Sequence, residues 1–169
     1  VFLGIALSIL VYVVRASSDI EVREVLRRED GLFDERPAPA QLSDESITVL
    51  HVWGSLFFSG AYTLQQNLSE VGDAQRAVVI LRLRGRSQIG STFIQVLERY
   101  AQQLQANGGK LMLAGVSEHV MDQLDKTETF ETIPKEDVFL AKDTLGRSTL
   151  DAMAAAEQWL AEKTASEDR

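Results

Sequence analysis

The feature that most restricts the fold is the unbroken apolar run Ala77-Val78-Val79-Ile80-Leu81, which sits between Arg76 and the alternating Arg82 and Arg84. A strand with one wet face alternates apolar and polar residues, whereas a short β-branched run without alternation is buried on both faces, as in a parallel sheet covered by helices. The segment after it supplies the cover. Phe93, Leu97, Tyr100 and Leu104 recur at spacings of four, three and four, with Ile94 and Ala101 widening the stripe, so the sequence predicts an amphipathic helix that folds back onto the strand.

The same alternation continues on either side. "SITVLHVWG" reads as a strand closed by Gly54, and "SGAYTLQQNLSEVG" as a helix capped at Ser59 and stopped at Gly72. "ANGGKLMLAGV" ends the amphipathic helix at Gly108 and Gly109 and starts another buried strand, Leu111 to Ala114. Ser117 caps "SEHVMDQL", "EDVFLA" gives a fourth short strand, and Thr144 or Ser148 opens a long Ala-rich helix ending near "EQWLAEK". The connection "DKTETFETIPKED" reads as a solvated loop. Strand and helix in succession imply helices packed on a largely parallel sheet, an α/β fold.

The first fourteen residues are of another kind. Val1 to Val14 carry no charge and leave no polar face, which points to lipid or a deep core. At about 1.5 Å per residue the stretch covers roughly 21 Å, less than a bilayer core of ~30 Å. It also lacks the basic segment that precedes the apolar part of a signal peptide. The expectation is that residues 1–15 are the end of a transmembrane helix. Arg15, Arg23, Arg27 and Arg28 follow it and favour the cytoplasmic side for what comes next. Residues 16–43 read as a linker, because the apolar positions of "IEVREVLRRED" fit neither period and Pro37 and Pro39 resist regular structure. The folded domain is then expected over 44–164, with a tail at 165–169.

Composition removes several function classes. A formal charge of −8 without any Lys/Arg block argues against nucleic acid as a partner. The absence of cysteine excludes thiolate metal sites and Cys nucleophiles. His51 and His119 lack ligand spacing, so no metal is expected and each reads as a strand or surface residue. The segment Gly85-Arg86-Ser87-Gln88-Ile89-Gly90-Ser91-Thr92 has the GxxxxG spacing of a phosphate-binding loop between strand and helix, but Ser91 stands where a lysine must reach the phosphates. ATP hydrolysis is therefore not expected. The free N–H groups of a helix start can still hold an anion weakly, with Arg86 nearby, or Ser91 can simply cap the helix. Trp53, Phe57 and Phe58 cluster at a strand-to-helix turn, either as rim of the core or as a partner contact.

The order of "ITVLHVWGSLFFSGA", "VVILRLRGRSQIGSTFIQVLERYAQQL", "GGKLMLAGVSEHVMDQLDKT" and "DAMAAAEQWL" resembles the STAS domain at the carboxyl end of SulP-type anion permeases, over about Ile47 to Leu160. The apolar start and the linker with "PAPAQL" resemble the way such permeases leave their last membrane helix. The resemblance implies a SpoIIAA-like mixed sheet with helices mainly on one side. It also implies a non-enzymatic cytosolic domain at the inner face of the plasma membrane, with a regulatory or assembly role and no cofactor. The membrane domain of the same permease is the implied partner, a homodimer is a candidate arrangement, and a nucleotide or other anion is a candidate weak ligand. The fold also occurs in anti-sigma-factor antagonists, where an Asp-Ser-Ser/Thr-Gly turn is phosphorylated. Here Gly90-Ser91-Thr92-Phe93 puts Thr92 at the acceptor position but lacks the Asp and the Gly, which weighs against the alternative of a free-standing kinase-controlled regulator. The candidate loop residues are thus Arg86, Gly90, Ser91 and Thr92, and the candidate contact residues Trp53, Phe57 and Phe58.

Overall fold

A computed structural model describes residues 3–5, 7–8, 11, 20–54 and 59–167. Six strands form one mixed sheet in the order β2-β1-β3-β4-β5-β6. They are β1 (Glu21–Arg27), β2 (Phe33–Pro37), β3 (Ile47–Trp53), β4 (Val78–Arg82), β5 (Lys110–Val116) and β6 (Val138–Leu140). Strands β3 to β6 are parallel, and β1 runs antiparallel to both β2 and β3. The helices packed on this sheet among the described residues are α1 (Ser59–Asn67), α2 (Ser91–Ala106), α3 (Glu118–Lys126) and α4 (Arg147–Glu167). This is the fold that the resemblance implies.

Residues Val78 to Leu81 of β4 are fully buried, as their unbroken apolar run requires. Alternation then divides the core. Val79 and Leu81 face the larger cluster, with Leu64 of α1, Phe93, Leu97 and Leu104 of α2, and Leu124 of α3. Val78 and Ile80 face the smaller one, where Ala152 and Ala156 of α4 press on the sheet. Three helices on one face and one on the other satisfy the expectation of helices mainly on one side. Gly109 sets the entry to β5, since a Cβ there would overlap the carbonyl oxygen of Ala77.

The structure departs from the sequence reading in several places. The stretch 16–43 read as a linker supplies β1 and β2, with Ile20, Val22 and Val25 buried. Val22 faces the larger cluster and Val25 the smaller, so a strand covered on both sides shows no clean alternation. Pro37 is tolerated as the last residue of β2, an edge strand where a missing N–H breaks no ladder. Helix α1 stops at Asn67 rather than Gly72, because residue 70 leaves to form a parallel bridge with Gln41. Helix α4 begins between the two expected residues, at Arg147, and runs into the expected tail as far as Glu167. The "DKTETFETIPKED" connection is not simply solvated: it holds 3-10 turns at Thr129–Glu131 and Lys135–Asp137 and buries Thr129, Ile133 and Asp137. Thr129 Oγ1 donates to Glu98 at 2.8 Å, and Asp137 is paired with Lys110 at 2.8 Å.

Most of the apolar start lies outside the described residues. Those of it that are described, 3–5, 7–8 and 11, are helical, and Leu3, Ile5, Leu7 and Val11 are exposed. No helix among the described residues is long and apolar enough to cross a membrane.

Candidate functional site

The loop from β4 to α2 is held at both ends by the core. Leu83 is buried and its N–H donates to Ala114 O at 2.8 Å, which carries the chain one step past β4 along β5. Gly85 then reverses the backbone at φ +81. Ile89 is buried too, and the Gln123 amide of α3 grips both of its backbone groups. Gln123 Oε1 accepts from Ile89 N at 3.1 Å and Nε2 donates to Ile89 O at 3.2 Å. The loop is therefore fixed before α2 starts.

Gly90, extended at φ −76 and ψ 153, is the N-cap, and no side chain caps the helix. Ser91 is already the first helical residue, so the expected Ser91 cap is not formed. A capping side chain must sit one residue outside the helix, and that position belongs to a glycine. Ser91 and Thr92 are both exposed at this amino end, where first-turn N–H groups lack intrahelical acceptors. By contrast, Ser117 caps α3 as expected, accepting from Val120 N at 3.3 Å.

Arg86 does not join them. Its guanidinium turns to the end of β3, donating to Val52 O at 2.8 Å and to Gly54 O. Burial lowers its pKa from the ordinary guanidinium range, and the two carbonyls replace part of its lost hydration. Gly90, Ser91 and Thr92 thus form one group, and Arg86 a tie between this loop and the turn after Trp53. Trp53 is 49% exposed and packs on His51 with ring centroids 4.6 Å apart. Phe57 and Phe58 lie outside the described residues. A cleft of about 200 Å³ opens elsewhere, between α1 and α2, lined by Gln65, Ser69, Glu70, Arg99 and Tyr100.

A family model of the STAS domain matches residues 39–145. The chain belongs to the STAS domain family. Over 103 residues this STAS domain is 26% identical to the "Putative sulfate transporter YvdB" of Bacillus subtilis (strain 168), covering 61% of the chain and 19% of that protein. The chain therefore spans about a fifth of the curated relative it matches. Among solved structures it is similar to the sulfate transporter family protein from Wolinella succinogenes, with a TM-score of 0.55 and 25% identity over 72% of this chain and 93% of that one. The murine solute carrier 26 family member A9 anion transporter in its inward-facing state superposes with a TM-score of 0.67 over 92% of this chain and 25% of that one, and at 16% identity shares the fold. Relatives of this STAS domain are thus described as transporters.

Two contacts of the loop carry no signal in the local sequence. Gln123 was read only as a helix residue, and nothing in its local pattern signals that its amide reaches Ile89. Arg86, expected beside an anion because it is near the helix start in sequence, gives its guanidinium to the carbonyls at the end of β3.

Proposed function

We propose that this STAS domain is the cytosolic carboxyl-terminal module of a SulP-type anion transporter, in which it serves regulation or assembly rather than catalysis. The observation that carries the reading is the similarity of 103 residues to a protein described as a sulfate transporter, on a family match of residues 39–145. In this reading residues 1–15 end the last transmembrane helix, and the domain lies at the cytoplasmic face of the plasma membrane. Its partner is the transporter's own membrane domain, and a homodimer is the arrangement to test for assembly.

The loop suits signalling better than chemistry. Thr92 and Ser91 are exposed where a helix start favours an anion, but the loop has no lysine to draw onto a γ-phosphate. Arg86 links this loop to the end of β3, so a phosphate or partner at Thr92 acts next to a strut of the sheet. A nucleotide would bind weakly here and without hydrolysis.

The test is uptake of labelled sulfate and bicarbonate by cells carrying the complete gene, with residues 39–145 present or deleted and with Thr92→Glu. Deletion should reduce uptake or the amount of transporter in the membrane. Unchanged uptake and unchanged abundance would sink the regulatory and assembly roles together, and a complete gene without membrane segments would point to the free-standing regulator.

A further inference from the structure

We propose that the sheet face at the amino end of β1 and the carboxyl ends of β3 and β4, with Arg23, Arg82 and Trp53 around His51, binds the phosphate headgroup of an anionic phospholipid. This rests on the reading that residues 1–15 are attached to a bilayer.

The three basic side chains are aligned by register. Arg23 pairs with His51 and His51 with Arg82 across three neighbouring strands. By alternation they point to the same face as Val25, Val49 and Ile80. Side chains directly opposite on adjacent strands lie about 5 Å apart, so the two arginines flank His51, whose pKa is held below its ordinary value by burial and then by Arg82. An anion between the two guanidiniums would be attracted by both.

The protein supplies little of one. Arg23 has an exposed pair with Glu21 at 2.8 Å. Arg82 is half-buried and meets the ring of Phe33 at 5.9 Å, and among the described residues its guanidinium has no hydrogen bond or ion pair. The Nε atoms of both arginines and Nδ1 of His51 are buried without partners. Elsewhere the domain matches its buried charges, Glu24 with Arg36 at 2.6 Å and Asp137 with Lys110 at 2.8 Å. A guanidinium carries five donors, and leaving them unpaired away from water is unfavourable. Glu35 on β2 acts on both His51 and Arg82 and offsets part of the charge. Arg84 and Arg86 add to it on the other side.

Two observations favour a lipid as the source of the anion. Trp53 lies half-exposed beside His51, and an indole of this kind suits a membrane interface, with its apolar body and single N–H donor. Glu21, the first residue of β1, pairs with Trp53, so the apolar start reaches the sheet at this corner. Six residues lie between Val14 and Glu21, a reach of at most about 25 Å. Arginine also grips phosphate oxygens in a bidentate manner, as the fork of Arg82 could from the rim of this face. The whole chain carries −8, so the attraction is local and confined to about a Debye length.

The experiment uses the complete 169-residue chain with vesicles of phosphatidylcholine alone, or of phosphatidylcholine and phosphatidylglycerol in equal parts. Wild type should bind both through its apolar start but prefer the anionic vesicles. Arg23→Gln/Arg82→Gln should lower that preference by roughly tenfold or more, and Arg82→Gln alone by less. Arg99→Gln, on α2 across the sheet, should keep it. Unfolding curves of each variant separate loss of the fold from loss of the site. His51 ring resonances should titrate at higher pH with short-chain phosphatidylglycerol than with short-chain phosphatidylcholine, as an anion placed between Arg23, Arg82, Arg86, Glu21 and Glu35 would cause. Equal binding to both vesicles, or a preference untouched by the arginine changes, overturns the inference and leaves this face to a protein partner. Inorganic phosphate that reproduces the His51 shift overturns the lipid as the source. Absence of binding to either vesicle defeats the membrane reading of residues 1–15 itself.

Discussion

Against one face of the sheet lie α1, α2 and α3, which bury Leu64, Phe93, Leu97, Leu104 and Leu124 completely; against the other lies α4, whose fully buried contacts are Ala152 and Ala156. The first face is filled by large side chains set at helical spacing, and the second is closed by bringing a helix backbone near the strands. Large side chains leave a readable period. Alanines permit close approach but carry little apolar surface, and α4 leaves the carboxyl corner of its face to arginine, histidine and tryptophan. One face is thus a core, and the other is part core and part polar corner.

If that contrast is right, the two faces should fail in opposite ways. Leu97→Ala should destabilise the domain by about 2 to 5 kcal/mol, as truncation of a fully buried leucine does, and denaturant unfolding would show it. A loss below about 1 kcal/mol would mean that the large-side-chain face can collapse around the gap. On the α4 face, enlargement should do the damage: Ala156→Leu is expected to cost about 1 to 3 kcal/mol in the same measurement, because a fully buried alanine has no room to grow. A neutral result there would show that α4 is free to lift off the sheet.

Smaller effects sharpen the comparison. Ser117→Ala removes the one-sided cap of α3 and should cost about 1 kcal/mol, whereas Ser91→Ala should change stability little, since Gly90 holds the cap position of α2. The smallest effect belongs to the polar corner. His51 has its pKa held below the ordinary 6.5, first by burial and then by Arg82, with Glu35 opposing. The unfolded chain therefore takes up a proton more readily than the folded one. The stability tied to this residue is complete above pH 6.5 and is lost as pH falls through the lowered folded value. His51→Gln should flatten the pH dependence of unfolding just below pH 6.5, and an unchanged slope would show that the corner is more open to water than its geometry implies.

What could be read from the sequence follows the same division. The stripe Phe93, Leu97, Tyr100 and Leu104 and the run Val78 to Leu81 report their own surroundings, because a residue's burial there depends only on its place in a helix or strand. The hairpin of β1 and β2 could not be read so, since Val22 and Val25 serve opposite faces and their spacing mimics irregular chain. The candidate loop was legible as a strand-to-helix turn with Ser91 and Thr92 at its exposed end, but not in its wiring. Where Arg86 and Gln123 reach is set by strands and helices more than thirty residues away. The alignment of Arg23, His51 and Arg82 depends on register between β1, β3 and β4, and no local pattern encodes it.

The direction of β1 has an orienting consequence. Because it runs against β3, the chain enters the sheet where β3 and β4 release their loops, and not at the opposite pole, which Lys110 with Asp137 and Arg76 with Glu45 hold shut. A single reversal makes the entrance a neighbour of Gly54 and Arg86. Were β1 replaced by a strand parallel to β3, all six positions in the sheet could still be filled, yet the chain would enter the sheet at the opposite pole. The pole at which the chain enters thus resides in a seven-residue strand that contributes nothing to the candidate loop.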